Sequence, residues 1–225
     1  MEGRRYYEAY DDRFSQVHQA GLQWFSDLPS PIVGEVIRSF GFTRESKMLE
    51  LGCGEGRDAS RLLRDGFRLL ATDISPEAIR YCREKNPRFL TAFQVLDCVA
   101  GRLDETFDFI YAVAVVHMLV PDGDRQSFYR FIREHLAPDG IGLICTMGDG
   151  ETERQTDIRG AFEKQPRVHE ETGKMVEIAG TSCRMVTFSA FKKELQTAGL
   201  TLVETGITAV EPDFPVMMYA VVKRA

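Results

Sequence analysis

The sequence predicts an α/β fold: a doubly wound, mostly parallel seven-stranded sheet with helices on both faces and its last strand antiparallel. Three observations carry this prediction. Short runs that are apolar throughout recur between helix-length segments, as strands buried on both faces require. The first of them, Met48 to Leu51, breaks into Gly52, Gly54 and Gly56 and then into a helical pattern with Ala59, Leu62 and Leu63 on one side. The last two runs follow one another with no helix between them, which implies an antiparallel edge pair.

Taken in order, residues 1–46 read as a helical N-terminal lid. Tyr6, Tyr7, Tyr10, Phe14, Val17, His18, Leu22, Trp24 and Phe25 form an aromatic-rich segment, and Ser30-Pro31 supplies a cap and first-turn proline for a second helix, Ile32 to Phe40. The lid either packs on the core as a plain cover or brings Tyr10, Arg13 or Trp24 over a ligand. Residues 47–147 form an α/β core. Its glycine-broken turn gives the main chain angles that a Cβ forbids and lets a ligand lie against it, with the next helix aiming free N–H groups at that ligand. A strand Arg68–Asp73 ends in an acid, and Ser75-Pro76-Glu77 starts a helix carrying Ala78, Ile79 and Cys82. Strands Phe93–Leu96 and Phe107–Val116 follow, then a helix from Asp122 to His135, the turn Pro138-Asp139-Gly140 and a strand Ile141–Met147. Residues 148–186 break the rhythm and read as an insertion capping the site. Residues 187–225 complete a single domain with a helix Ser189–Ala198 and strands Leu200–Thr205 and Val216–Val222. In such sheets ligands lie at the carboxyl ends of the strands, beside the first glycine turn.

Composition narrows the function classes. A net charge of −6 argues against a broad nucleic-acid footprint or attachment to an anionic membrane. No run approaches a membrane span, and the N-terminus lacks the apolar core of a secretory signal. Five scattered cysteines with no C-x-x-C pair read as reduced thiols of a cytoplasmic protein, with neither a disulfide framework nor a metal site.

These residues resemble the class I S-adenosylmethionine-dependent methyltransferases, a Rossmann-like family, over about Lys47 to Met147 plus the terminal helix and strand pair. Glu50-Leu51-Gly52-Cys53-Gly54-Glu55-Gly56 is similar to the family's first motif, and Ala71-Thr72-Asp73-Ile74-Ser75 to its second. Asp97 stands where a third motif has an acid. Phe107-Asp108-Phe109-Ile110 with Val113 to Leu119 looks like the fourth, and Leu136-Ala137-Pro138-Asp139-Gly140 like the turn before the fifth strand. The resemblance implies S-adenosylmethionine as cofactor, S-adenosylhomocysteine as product and a small-molecule acceptor. It implies that Gly52, Cys53, Gly54 and Gly56 cradle the methionine part and ribose, that Asp73 binds the ribose hydroxyls and that Ile74 presses on adenine. Asp97 and the Cys98 main chain then meet the adenine edge, and Ala114 and His117 flank sulfur and acceptor. Arg13 and Trp24 are candidates to close over the cofactor from the lid.

A nicotinamide-dependent oxidoreductase also fits an acid about 20 residues past the first glycine, but Arg57 stands where that pattern has its third glycine. The same motifs would also serve a nucleic-acid or protein methyltransferase, or a non-catalytic cofactor-binding module. His117 is either a general base with a pKa near working pH or a satisfied histidine at the cofactor. His169, in Val168-His169-Glu170-Glu171, is either a second candidate base, as is Tyr10, or part of a solvated face, and His18 and His135 read as structural. Cys183 and Arg184 fall in the part expected to line the acceptor site.

Overall fold

The computed structural model describes residues 3–169 and 172–225; Glu170 and Glu171, at the end of the predicted solvated stretch, lie outside the described residues. The chain enters through a 3-10 turn (Tyr6–Glu8), α1 (Ala9–Gln19) and α2 (Pro31–Ser39). The core then runs β1 (Lys47–Leu51), α3 (Arg57–Arg64), β2 (Arg68–Asp73), α4 (Pro76–Lys85), β3 (Phe93–Val95), β4 (Phe107–Val113), α5 (Asp122–His135) and β5 (Leu136–Met147). Short strands β6 (Arg154–Gln155), β7 (Lys164–Val168), β8 (Met175–Ala179) and β9 (Arg184–Met185) follow. The chain closes with α6 (Phe188–Thr197), β10 (Leu200–Val210) and β11 (Phe214–Arg224).

Seven strands form one sheet in the order β10-β11-β5-β4-β1-β2-β3. β11 runs antiparallel to both of its neighbours, and the other neighbouring pairs in the sheet are parallel. Alternation along β1 explains how two cores arise from one sheet. Met48 joins the apolar cluster under α2, α3 and α4, while Leu49 and Leu51 join the one under α5 and α6. Glu50 therefore shares the Met48 face, buried, where the Tyr111 hydroxyl donates to its Oε2 at 2.9 Å.

Four local differences from the sequence-based expectation have physical causes. The predicted strand Phe107–Val116 stops at Val113, because Ala114 turns to φ +60° and donates its N–H to the Cys145 carbonyl. The Pro138-Asp139-Gly140 turn lies within β5 as a bulge: Leu136 pairs with Phe107 and Ile141 with Phe109, so four residues face one. Trp24 and Phe25 lie beyond α1, which ends at Gln19 and is followed by a turn at Gly21 (φ +70°), in an irregular stretch that leads to α2. The strand pair is longer than predicted, since each strand continues past its apolar stretch as long as it has a partner to bond.

The insertion folds into two antiparallel ribbons, β7–β8 and β6–β9. It rests on α1: the Arg13 guanidinium donates to the Ala179 and Gly180 carbonyls, and Gln16 Oε1 accepts from the Ala179 N–H at 2.7 Å. His169 is buried here rather than solvated, with Nε2 against the Gln23 carbonyl and Nδ1 2.9 Å from Thr172 Oγ1. Among the described residues no helix is long and apolar enough to cross a membrane.

Candidate active site

The glycine turn after β1 is held by side chains that its own sequence does not supply. Gly52 has φ +70°, and a Cβ there would clash with Val115 Cγ2 in the segment after β4. Gly56, at φ +80°, caps α3 and accepts from the Ser60 N–H at 2.8 Å; a Cβ on it would meet Cys82 Sγ at 2.9 Å. Asp73, at the end of β2, accepts from the Gly54 N–H (2.8 Å) and the Ser75 N–H (2.9 Å). Burial pushes its carboxyl above the usual range, and these two N–H donors act in the opposite sense. Burial likewise raises Glu50, well above an ordinary glutamate, with Asp58 adding to the rise.

The turn, Asp73 and Glu50 line a cavity with about 940 Å3 of atom-free space including its open mouth. Ile74, Leu96, Asp97, Cys98 and Val99 form one end, and Val113, Ala114, Val115, Met118 and Leu119 a second wall. The cover comes from far away in sequence: Tyr7, Tyr10, Phe14 and Phe25 from the N-terminal segment and Phe214 from the start of β11. Tyr7 donates its hydroxyl to Asp97 Oδ2 at 3.1 Å, while Asp97 Oδ1 accepts from the Val99 N–H. Asp213, next to Phe214, accepts from Ser26 and from Arg57, so one carboxylate joins the N-terminal segment, the last strand pair and the first helix of the core. The cavity thus presents bare backbone at one end and aromatic rings at the other.

Residues 48–140 match the family model described as "Methyltransferase domain". Over that stretch the chain is similar to methyltransferase domains.

Among curated proteins, the chain is 33% identical over 108 residues to "Hemagglutinin 1" of Eikenella corrodens, covering 46% of this chain and 35% of that one. It is 29% identical over 117 residues to the "Probable S-adenosyl-L-methionine-dependent methyltransferase TehB" of Haemophilus influenzae (strain ATCC 51907), covering 50% and 40%. The similarity thus spans well under half the length of either relative. Among solved structures, the CcbJ methyltransferase of Streptomyces caelestis superposes with a TM-score of 0.69 at 16% identity, over 96% of this chain and 98% of that one. The Burkholderia thailandensis 1,6-didemethyltoxoflavin-N1-methyltransferase gives 0.69 at 18% identity, over 96% and 88%. At these identities the likeness concerns the fold.

Within residues 48–140, Gly52, Cys53, Gly54, Asp73, Ile74, Asp97, Cys98 and Ala114 all line the same cavity; Gly56 caps α3 and is not part of its lining. His117 lies in the 3-10 turn after β4, 3% exposed, its ring centroid 6.0 Å from that of Phe214. Its Nδ1 is buried without a hydrogen-bond partner among the described residues. Burial, helped by Arg125 and Arg13, lowers its pKa to about 3, so the imidazole is neutral at physiological pH. His117, Arg13 and Trp24 do not line the cavity. Arg13 lies over the Trp24 and Tyr10 rings at 5.2 and 5.4 Å while it binds the insertion. Cys183 is also off the cavity, and Arg184 donates to the Val120 carbonyl and to Asp122.

Sequence reasoning passed over Glu55, Arg57, Phe14 and Phe214. Both oxygens of Glu55 are used, Oε1 by the His18 ring and the Trp24 N–H and Oε2 by the Phe25 N–H. Arg57 bonds Asp213, and its Nε is buried without a partner among the described residues. A charged residue placed between two glycines of a tight turn was the available signal. What it binds lies elsewhere in the chain.

Proposed function

We propose that this chain transfers the methyl group of S-adenosylmethionine to a small-molecule acceptor. One observation carries the reading: the glycine turn and two acids share a single cavity with aromatic side chains from the N-terminal segment and from β11. Residues 1–46 and 148–186 together act as the cap over the acceptor, with Arg13 and Trp24 bracing it.

The cavity fits the cofactor chemically. The absence of a Cβ at Gly52 leaves bare main chain at the turn, and the α3 N-terminus suits the methionine carboxylate. Asp73 would accept from the ribose hydroxyls, Ile74 would lie on adenine, and Asp97 with the Cys98 main chain would meet the adenine edge. When bound, the sulfonium supplies an electrophilic methyl group. The protein's part is to align the acceptor beside Ala114, to exclude water with Tyr10, Phe14, Phe25 and Phe214, and to keep the reacting groups in line. His117, neutral and buried beside Phe214, is not a base that titrates near pH 7. The small-molecule reading draws support from the net negative charge and from neighbours of the same fold named for glycopeptide and toxoflavin-type acceptors.

Calorimetry with S-adenosylmethionine, S-adenosylhomocysteine and NAD(H) tests the cofactor, and transfer of labelled methyl to a panel of small acceptors tests the reaction. Preference for NAD(H) over the sulfonium overturns the proposal.

A further inference from the structure

We propose that His18 is a positioning residue: as an imidazolium clasped between Glu55 of the glycine turn and Glu77 of α4, it fastens the N-terminal segment over the cavity. His18 lies in the last turn of α1. Its Nε2 is 3.0 Å from Glu55 Oε1 and its Nδ1 2.7 Å from Glu77 Oε1, with the side chain only 6% exposed. A neutral imidazole has one N–H, so its other nitrogen would turn a lone pair toward a carboxylate oxygen. Only the protonated ring donates to both.

The same carboxylates anchor what surrounds the ring. Glu55 also takes the Trp24 and Phe25 N–H groups, fixing the stretch that carries Phe25 into the cavity wall. Two turns before His18, Asp11 accepts from the Ser75 hydroxyl and the Glu77 N–H, tying α1 to the start of α4. Tyr81 stacks on the imidazole at 4.4 Å, and its hydroxyl donates to Gln23. Arg80 holds Glu77 from the solvent side. Phe14, one turn before His18, lies in the wall beside Gly54. Burial opposes the charge on His18, yet Glu55 and Glu77 outweigh it and leave its pKa raised. Loss of the proton turns one of two short contacts repulsive, and the segment carrying Phe14 and Phe25 loosens.

The ligand side of this inference rests on the cofactor reading above; the fastening itself is measurable without ligand. Hydrogen exchange of the ligand-free full chain, corrected for intrinsic rates between pH 6 and 10, reads protection of residues 5–26. Protection should fall in one step with a midpoint above about 6.5, the ordinary histidine value. Glu77→Gln removes one of the raising carboxylates and should move that step to lower pH, while His18→Gln should abolish it. In parallel, S-adenosylhomocysteine affinity should weaken by up to about tenfold per pH unit above the step. Protection that stays flat across the range, or a step unmoved in Glu77→Gln, overturns the proposal. A normal step with no binding of S-adenosylhomocysteine at any pH upholds the fastening and counts against the cofactor reading alone.

Discussion

A methyl group added at Gly52 would clash with Val115 Cγ2 on a backbone already at φ +70°. Left-handed backbone costs a residue with a Cβ about 1–2 kcal/mol before any clash. Gly52→Ala should therefore lower Tm by several degrees and abolish cofactor binding measured by calorimetry; wild-type affinity in that variant would remove the turn from the site. Glu50 makes the opposite trade. It is buried with one hydroxyl donor and a raised pKa, so its charge opposes folding near neutral pH. Glu50→Gln should raise Tm by about 2–4 °C per kcal/mol relieved and weaken S-adenosylmethionine binding, both readable by thermal shift with and without ligand. For His117, a pKa of about 3 means that kcat/KM should show no limb from this residue between pH 5 and 8. A limb near 6.5 that vanishes in His117→Ala would contradict the neutral reading.

At the scale of elements, the segment after β4 is positioned by a buried charge cluster between α5 and α6. Arg125, 1% exposed, donates to Glu194 through Nε and Nη2 and to the Val116 and Leu119 carbonyls through Nη1. Tyr129 donates to the same Glu194 carboxylate at 2.8 Å. Removing one partner of such a pair leaves the other buried and uncompensated, at a cost of about 3–5 kcal/mol. Arg125→Ala should lose that much in denaturant unfolding and raise hydrogen exchange at residues 115–120. An unchanged exchange pattern there would mean that the cluster ties helices together without holding the site wall.

For the whole molecule, the cover and the core are separate pieces of sequence meeting over one cavity, so ligand and stability are linked. If S-adenosylhomocysteine binds only the folded chain, a concentration of 100 times Kd should add about 2.7 kcal/mol of stability, a Tm rise of roughly 5–10 °C for a chain of this size. The pH dependence has a definite sign. His18 is raised in the folded state, so its contribution is full below about 6.5 and is lost as pH climbs through the raised value. Glu50, Asp58 and Asp73, also raised, act in the same direction from about pH 4 upward. His117, lowered to about 3, acts in the opposite sense up to about pH 6.5, so Tm should decline from about pH 6.5 to alkaline pH. A Tm that increases over that range would show that these groups titrate together less strongly than other sites.

The seven core strands, the glycine turn and the acids Asp73 and Asp97 were legible from the amino-acid sequence. Their signals are local: apolar runs of strand length, backbone angles that only glycine takes easily, and acids at strand ends. The cover was not. Phe214 reaches the cavity from the far end of the chain, and nothing near it in sequence distinguishes it from an ordinary core aromatic. Arg13 braces the insertion because the Ala179 and Gly180 carbonyls happen to face it, and His117 is neutral because burial and two distant guanidiniums act on it. Secondary structure and the glycine turn follow from which residues are neighbours in sequence. The cavity's lining, the protonation of its histidines and the way it closes follow from which residues are neighbours in space, and only the folded chain decides that.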